Sequence, residues 1–201
     1  LQEPIAALRA WNKRTSADSV PTAVAIFWGQ ELIDRKGREA READEPVYDY
    51  LVDKLTDEER MVALDAALDR LLQDFGRWQV PWGEINRFQR LTDDIVQPPF
   101  DDAKPSLSVG FAHSQWGALA SIEAKRHNTK RLYGFSGNSF IAAVEFGPTL
   151  HAKALMSGGA SGDPKSPHFN DQALMFSQGR FRDVLFYPED VRAHAERSYQ
   201  P

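Results

Sequence analysis

Residues 133–172 read YGFSGNSFIAAVEFGPTLHAKALMSGGASGDPKSPHFNDQ, and the fold turns on how that run is interpreted. From Ser139 to Phe146 the side chains alternate with the period of a β-strand. Phe140, Ala142, Val144 and Phe146 fall on one face, and Ser139, Ile141, Ala143 and Glu145 on the other. Both faces are largely apolar, which predicts a strand covered on both sides. Glu145 would then stand where a carboxylate is costly unless a partner neutralises it. The strand contains no basic residue, so that partner must come from elsewhere. Gly147-Pro148-Thr149 reverses the chain. Leu150, Ala152, Ala154 and Met156 then alternate with His151 and Lys153 as a second strand. Gly158, Gly159 and Gly162 follow and imply tight backbone geometry or close approach.

Working outward, further strands are predicted for Leu107-Val109-Phe111, Trp116–Glu123 and Phe181–Phe186, with a short helix at Asp171–Ser177 and a last helix from Pro188 through Tyr199. Residues 106–201 thus form an antiparallel sheet with flanking helices. Residues 77–105 read as an irregular connector with aromatic anchors, because Trp78, Pro81, Trp82, Pro98 and Pro99 interrupt any regular period. Trp82 is read as packing under a loop, and Glu84, Arg87 and Arg90 as a surface ion-pair set.

Residues 1–76 change to the period of a helix. Glu3–Lys13 presents Ile5, Leu8 and Trp11 on one face. Asp18 is placed to cap the next helix, whose stripe is Val24, Phe27, Trp28 and Leu32. Lys36–Glu45 is a charge-rich linker or solvated face, solvation being the preferred reading. Pro46 opens a short helix bearing Val47, Tyr50, Leu51 and Leu55. Thr56 and Glu59 form a capping box. It precedes a helix face of Met61, Leu64, Leu68, Leu71, Leu72 and Phe75 that Gly76 terminates. The fold class expected is α+β, a helical N-terminal half followed by antiparallel strands.

Composition narrows the function. The chain has 201 residues and a net charge of −5, which gives a nucleic-acid partner no support. It contains no cysteine, so disulfides, thiolate zinc sites and thiol catalysis are excluded. No apolar run is long enough to span a bilayer, and no membrane partner is expected. An amphipathic pattern already under way at Ile5 suggests a piece of a longer chain.

The segment GNSFIAAVEFG followed by SGGASGDPKSPHFNDQ closely resembles the C-terminal part of the penicillin acylase family of N-terminal-nucleophile hydrolases, in its cephalosporin and glutaryl acylase branch. Leu8–Trp28 and Val80–Leu91 also resemble family segments. The resemblance implies an αββα sandwich of which this chain supplies strands and outer helices. It implies hydrolysis of an amide joining an acyl group to an amine, of the β-lactam side-chain or acyl-homoserine lactone type. The nucleophile would be an N-terminal serine outside this chain, since the sequence starts with Leu1, so this chain alone would be inactive. The implied partners are the nucleophile-bearing segment, the α subunit and a small-molecule amide substrate. The implied setting is the periplasm or the exterior, and no cofactor or metal is implied.

One candidate catalytic residue follows. By itself, a lone Glu in an apolar strand reads as a structural ion-pair partner. The resemblance assigns Glu145 the role of a carboxylate that accepts a hydrogen bond from an active-site His and fixes its tautomer. Asp163 and Asp171 are read as bonding backbone N–H groups in a rigid turn whose path Pro164 and Pro167 fix, in preference to a calcium loop. His113, His127, His151 and His194 have no metal-site spacing and are read as surface or packing residues. Asn138 and Ser139 are read as ending a turn. The rival function, from a different class, is a non-catalytic scaffold or binding module that keeps only the outer architecture.

Overall fold

A computed structural model describes residues 1–195. It has the expected α+β order: helices fill the N-terminal half and strands dominate the rest. The helical half comprises α1 (Gln2–Ala10), α2 (Val20–Glu42), α3 (Val47–Asp53) and α4 (Asp57–Phe75). Ser19, not Asp18, caps α2, because its hydroxyl accepts from the Thr22 amide at 3.1 Å. The Lys36–Glu45 segment is no linker: α2 runs through it to Glu42, with Arg38, Arg41 and Glu42 solvated but Gly37 and Ala40 buried. Leu72, placed on the buried face by spacing, is 55% exposed, since α4 buries only the narrower stripe Ala63, Leu64, Ala67 and Leu71.

The capping box forms as expected. Glu59 N–H donates to the Thr56 hydroxyl at 3.2 Å, and Thr56 N–H donates to the Glu59 carboxylate at 2.9 Å. The other oxygen of Glu59 meets Lys36 Nζ at 2.8 Å, so one side chain both caps α4 and ties it to α2. The Lys36 ammonium, followed by the Thr56 amide, holds the Glu59 carboxyl at about 2, against an ordinary 4.5. The folded-state value is depressed, so this contribution to stability is complete above pH 4.5 and fades as pH falls towards 2. Glu59→Gln is therefore expected to flatten the acid limb of a melting-temperature profile measured between pH 7 and pH 2. An unaltered acid limb would refute the linkage.

Within 77–105 the chain forms regular structure that breaker residues concealed: α5 (Trp82–Ile85) and β1 (Asn86–Phe88). β1 is an interior strand. It pairs antiparallel with β2 (Leu107–Ser108) and parallel with β4 (Leu132–Gly137), and β4 pairs antiparallel with β3 (Ile122–Lys125). The sheet order β2-β1-β4-β3 is therefore mixed where an antiparallel sheet was expected. The strand expected at Trp116–Glu123 is mostly not strand. Ser114–Trp116 is a 3₁₀ turn, Ser121 makes one isolated bridge with Ala112, and the strand begins only at Ile122, because Gly117 at φ 81° turns the chain away.

Arg87 also departs from expectation. It turns inward instead of pairing at the surface, donating to the Gly83 carbonyl at 2.6 Å, to the Ser106 and Ser108 hydroxyls at 2.9 and 2.5 Å, and to the Ser106 carbonyl. Glu84 pairs with Arg77 at 2.7 Å, and Arg90 lies 4.1 Å from the centroid of the Phe169 ring.

A second sheet, of order β5-β6-β7, contains β5 (Phe140–Glu145), β6 (His151–Met156) and β7 (Arg182–Asp183). The final strand is shorter than the expected 181–186. The last helix is α7 (Pro188–Ala193), and the rest of its expected course lies outside the described residues. Between β6 and β7 lies α6 (Ala173–Ser177), close to the expected helix.

Two clusters hold the molecule together. One joins α2, α4 and α5 through Val24, Leu64, Leu71, Val80, Trp82 and Ile85. The other joins the two sheets and α6 through Val109, Ile122, Leu155 and Phe176, with Ile141 packed against it. Trp82 belongs to the first cluster and donates its indole N–H to the Phe111 carbonyl at 3.2 Å, so the packing reading of this residue holds.

Candidate active-site strand

Glu145 is the last residue of β5, which is an edge strand of its sheet. The register of the hairpin fixes its surroundings. Ile141 stands opposite Leu155, Ala143 opposite Lys153 and Glu145 opposite His151. Residues directly opposite share a face, so one face grades along the strand. Its Ile141–Leu155 end is sealed into the second cluster, and its Glu145–His151 end is open. Beside it Lys153 Nζ lies 2.8 Å from Asp183, and this ammonium holds the Asp183 carboxyl below the usual carboxylate range. Tyr187 accepts the Leu150 amide on its hydroxyl at 2.8 Å, which pins the start of β6. Glu145, His151, Lys153, Asp183 and Tyr187 line an open groove of about 570 Å³.

The expectation that this strand is covered on both sides fails for the chain as it stands. Phe140 is 55% exposed, Val144 43% and Phe146 84%, and Glu145 itself is exposed. Double-sided apolar patterning describes a strand between two layers, and this chain provides one partial layer, at the Ile141–Leu155 end. Among the described residues the ion pairs formed by this half are Arg126–Asp74, His113–Glu123, Lys153–Asp183 and His168–Asp171, and Glu145 is in none of them. His151, set aside in the sequence as one of several scattered histidines, is the cross-strand neighbour of Glu145. Counting the hairpin register back from the Gly147-Pro148-Thr149 turn would have found it.

An edge strand with exposed apolar side chains on both faces is a template for association. The chain taken alone is therefore expected to self-associate and to bind an apolar dye. Monomeric sedimentation at high concentration without dye binding would count against this.

The loop that follows β6 is closed by backbone hydrogen bonds, and of its three glycines Gly159 makes the expected close approach while Gly158 and Gly162 do not. Gln172 N–H donates to the Gly158 carbonyl at 2.8 Å and Ser161 N–H to the His168 carbonyl at 3.1 Å. A Cβ on Gly159 would collide with the His168 carbonyl. Asp163 accepts the Lys165 amide at 2.9 Å, the turn role expected of it. Asp171 instead bonds the Nδ1 of His168 at 2.8 Å, because the loop closes its side chain onto the ring. Asn138 closes the junction between β4 and β5. Its amide oxygen accepts from Ser121 N–H at 2.8 Å, and its own N–H donates to the Ser121 carbonyl at 2.9 Å. Among the described residues no group of three His, Asp or Glu side chains is placed to hold a metal ion, and no helix is long and apolar enough to cross a membrane.

A helical half packed on a mixed sheet, followed by a hairpin whose edge strand ends in a carboxylate unpaired among the described residues, is consistent with a segment of an N-terminal-nucleophile-type hydrolase. The chain matches the family model for penicillin amidase over residues 1–193 and belongs to that family, which supports an acylase-like amide hydrolase at family level.

Proposed function

We propose that this chain is the C-terminal portion of the β subunit of an acylase of the cephalosporin and glutaryl type, and that Glu145 orients the histidine of its active site. The reaction is removal of an acyl group from an amine. The hydroxyl of an N-terminal serine outside this chain adds to the amide carbonyl as its proton passes to that serine's own α-amino group. The C–N bond then breaks as the leaving amine takes that proton, and water, giving up a proton to the same amino group, releases the acid from the acyl-enzyme and restores the serine hydroxyl. Glu145 touches neither nucleophile nor substrate. Its carboxylate accepts the ring N–H of the histidine, fixes the tautomer and favours the imidazolium.

The reading is carried by the family match over 1–193, with Glu145 exposed at the end of an edge strand and in no ion pair among the described residues. A carboxylate so placed is available to a histidine brought by another segment. The reading carries with it a periplasmic or extracellular setting and inactivity of this chain alone. The experiment is complementation: this chain, the nucleophile-bearing remainder and their mixture are assayed for release of amine from a glutaryl amide. Activity in the mixture alone is expected. Equal activity of the remainder without this chain would reject a catalytic contribution and leave a scaffold.

A further inference from the structure

Glu145 has a histidine of its own hairpin opposite it, and the chemistry proposed above does not use that residue. Glu145 on β5 and His151 on β6 are register partners at the open end of the hairpin. Both are exposed, and among the described residues neither is in an ion pair. Residues directly opposite in an antiparallel pair hold their Cβ atoms about 4.5–5.5 Å apart, so rotation of the two side chains brings a carboxylate and an imidazole together. Charge decides how strongly they pair. An imidazolium opposite a carboxylate is an opposite-charge pair, and a neutral imidazole is not.

The other charged and titratable groups of the groove come from β6, β7 and α7. Lys153 is the diagonal neighbour of Glu145 across the hairpin, but its ammonium is held by Asp183 of β7 at 2.8 Å. Tyr187 accepts the Leu150 amide on its hydroxyl at 2.8 Å. Asp190 of α7 lines the same groove and offers a second carboxylate. His194, which follows α7, bonds the Asp190 carbonyl through Nδ1 at 2.8 Å. His151 is thus the cation source on β6 not already committed to a carboxylate among the described residues, and Glu145 is the carboxylate that the register sets against it.

We infer that His151 is a positioning residue for Glu145: as the imidazolium it draws the Glu145 carboxylate into a cross-strand pair and away from the active-site histidine, so that turnover falls on the acid side of neutrality. This rests on the role proposed above for Glu145. A histidine ordinarily gains its proton as pH falls through about 6.5. While His151 is neutral, the carboxylate is left to the active-site ring. Once His151 is charged, the negative charge of Glu145 is shared between two rings and stabilises the active-site one less.

The test is kcat between pH 5.5 and pH 8.5 in the complete enzyme, for the unaltered protein, His151→Gln, His151→Lys, Glu145→Gln and the Glu145→Gln, His151→Gln double variant. Gln cannot become charged. The ratio of kcat in His151→Gln to kcat in the unaltered protein is expected to be near unity at pH 8.5 and to rise to about 1.5- to 5-fold at pH 5.5, the worth of one cross-strand charge pair, with KM unchanged. Groups that titrate elsewhere act on both proteins and cancel in the ratio. His151→Lys, charged throughout, is expected to lower kcat at pH 8.5 by a similar factor. In the Glu145→Gln background the His151 substitution is expected to have no effect, because the partner charge is gone. A flat ratio, a His151→Lys variant with unaltered kcat, or a ratio that still rises in the Glu145→Gln background would each overturn the inference, and the last would give His151 to Asp190. Unchanged kcat in Glu145→Gln alone would remove the role of Glu145 and this inference with it, whereas lowered kcat there with a flat His151 ratio removes this inference alone.

Discussion

Glu145→Gln in the complete enzyme is expected to lower kcat about a hundredfold or more, roughly 3 kcal/mol of transition-state stabilisation, with little change in KM. Gln still accepts one hydrogen bond, so the histidine can remain in place. On the proposed role, what is lost is the negative charge that stabilises a charged histidine. A group that acts only as charge develops lowers kcat and kcat/KM together, whereas a group that holds substrate raises KM. The structure adds a control, because Glu145 is exposed and forms no ion pair among the described residues of this chain. The same substitution in the chain alone should change stability by no more than about 0.5 kcal/mol, as for an ordinary surface site. A structural ion-pair role predicts the opposite, with turnover preserved and a stability loss in the assembled enzyme on the order of 3–5 kcal/mol. Measuring kcat, KM and Tm on one variant separates the two, and unchanged kcat with a depressed Tm would remove Glu145 from the mechanism.

Trp82→Ala is expected to destabilise the chain by about 3–5 kcal/mol, the usual range for deleting a buried aromatic side chain. Trp82 is 3% exposed and sits where α2, α4 and α5 meet the first sheet. Trp82→Phe separates packing from hydrogen bonding. The Phe111 carbonyl that accepts the indole N–H also accepts Asn86 Nδ2 at 2.8 Å, so it keeps a donor when the indole is lost. The cost of Phe should therefore be near 1 kcal/mol for the bond plus the lost ring volume, well below that of Ala. Urea denaturation of the three proteins checks the order. Equal losses for Ala and Phe would mean that the hydrogen bond, not the ring, holds the junction.

The helices were legible because each carries its own signals: the Thr56–Glu59 box, Gly76 at φ 75°, and apolar residues at helical spacing. The β5–β6 hairpin was legible for the same reason, since alternation and a Gly-Pro turn lie in one short run. β1 was not. Its three residues are too few to show a period, and its place in the sheet is set by partners at 107–108 and 132–133, which only the tertiary fold brings together. Arg87 was misread because composition assigns arginines to the surface, while the acceptors that draw this one inward are the backbone and hydroxyls of a distant segment. At the candidate site the sequence picked out Glu145 and its strand. It missed the burial state, which depends on what covers a face and not on the face itself. It also missed the opposed His151, which needed the register of the hairpin as well as its existence.

The short central strand β1 has a consequence for the order of events as the chain leaves the ribosome. α1 to α4 meet one another through near neighbours in sequence, so the helical half has its partners as soon as it emerges. β1 emerges next but waits for β4, and until Leu132 and Tyr133 have been made the side of β1 away from β2 has no parallel partner. Contacts that must close a long loop form late and slowly. A chain stalled between Phe88 and Leu132 would therefore carry a folded helical half attached to a strand that lacks its β4 partner, and prolonged pausing there should raise both its capture by chaperones and its loss to proteolysis.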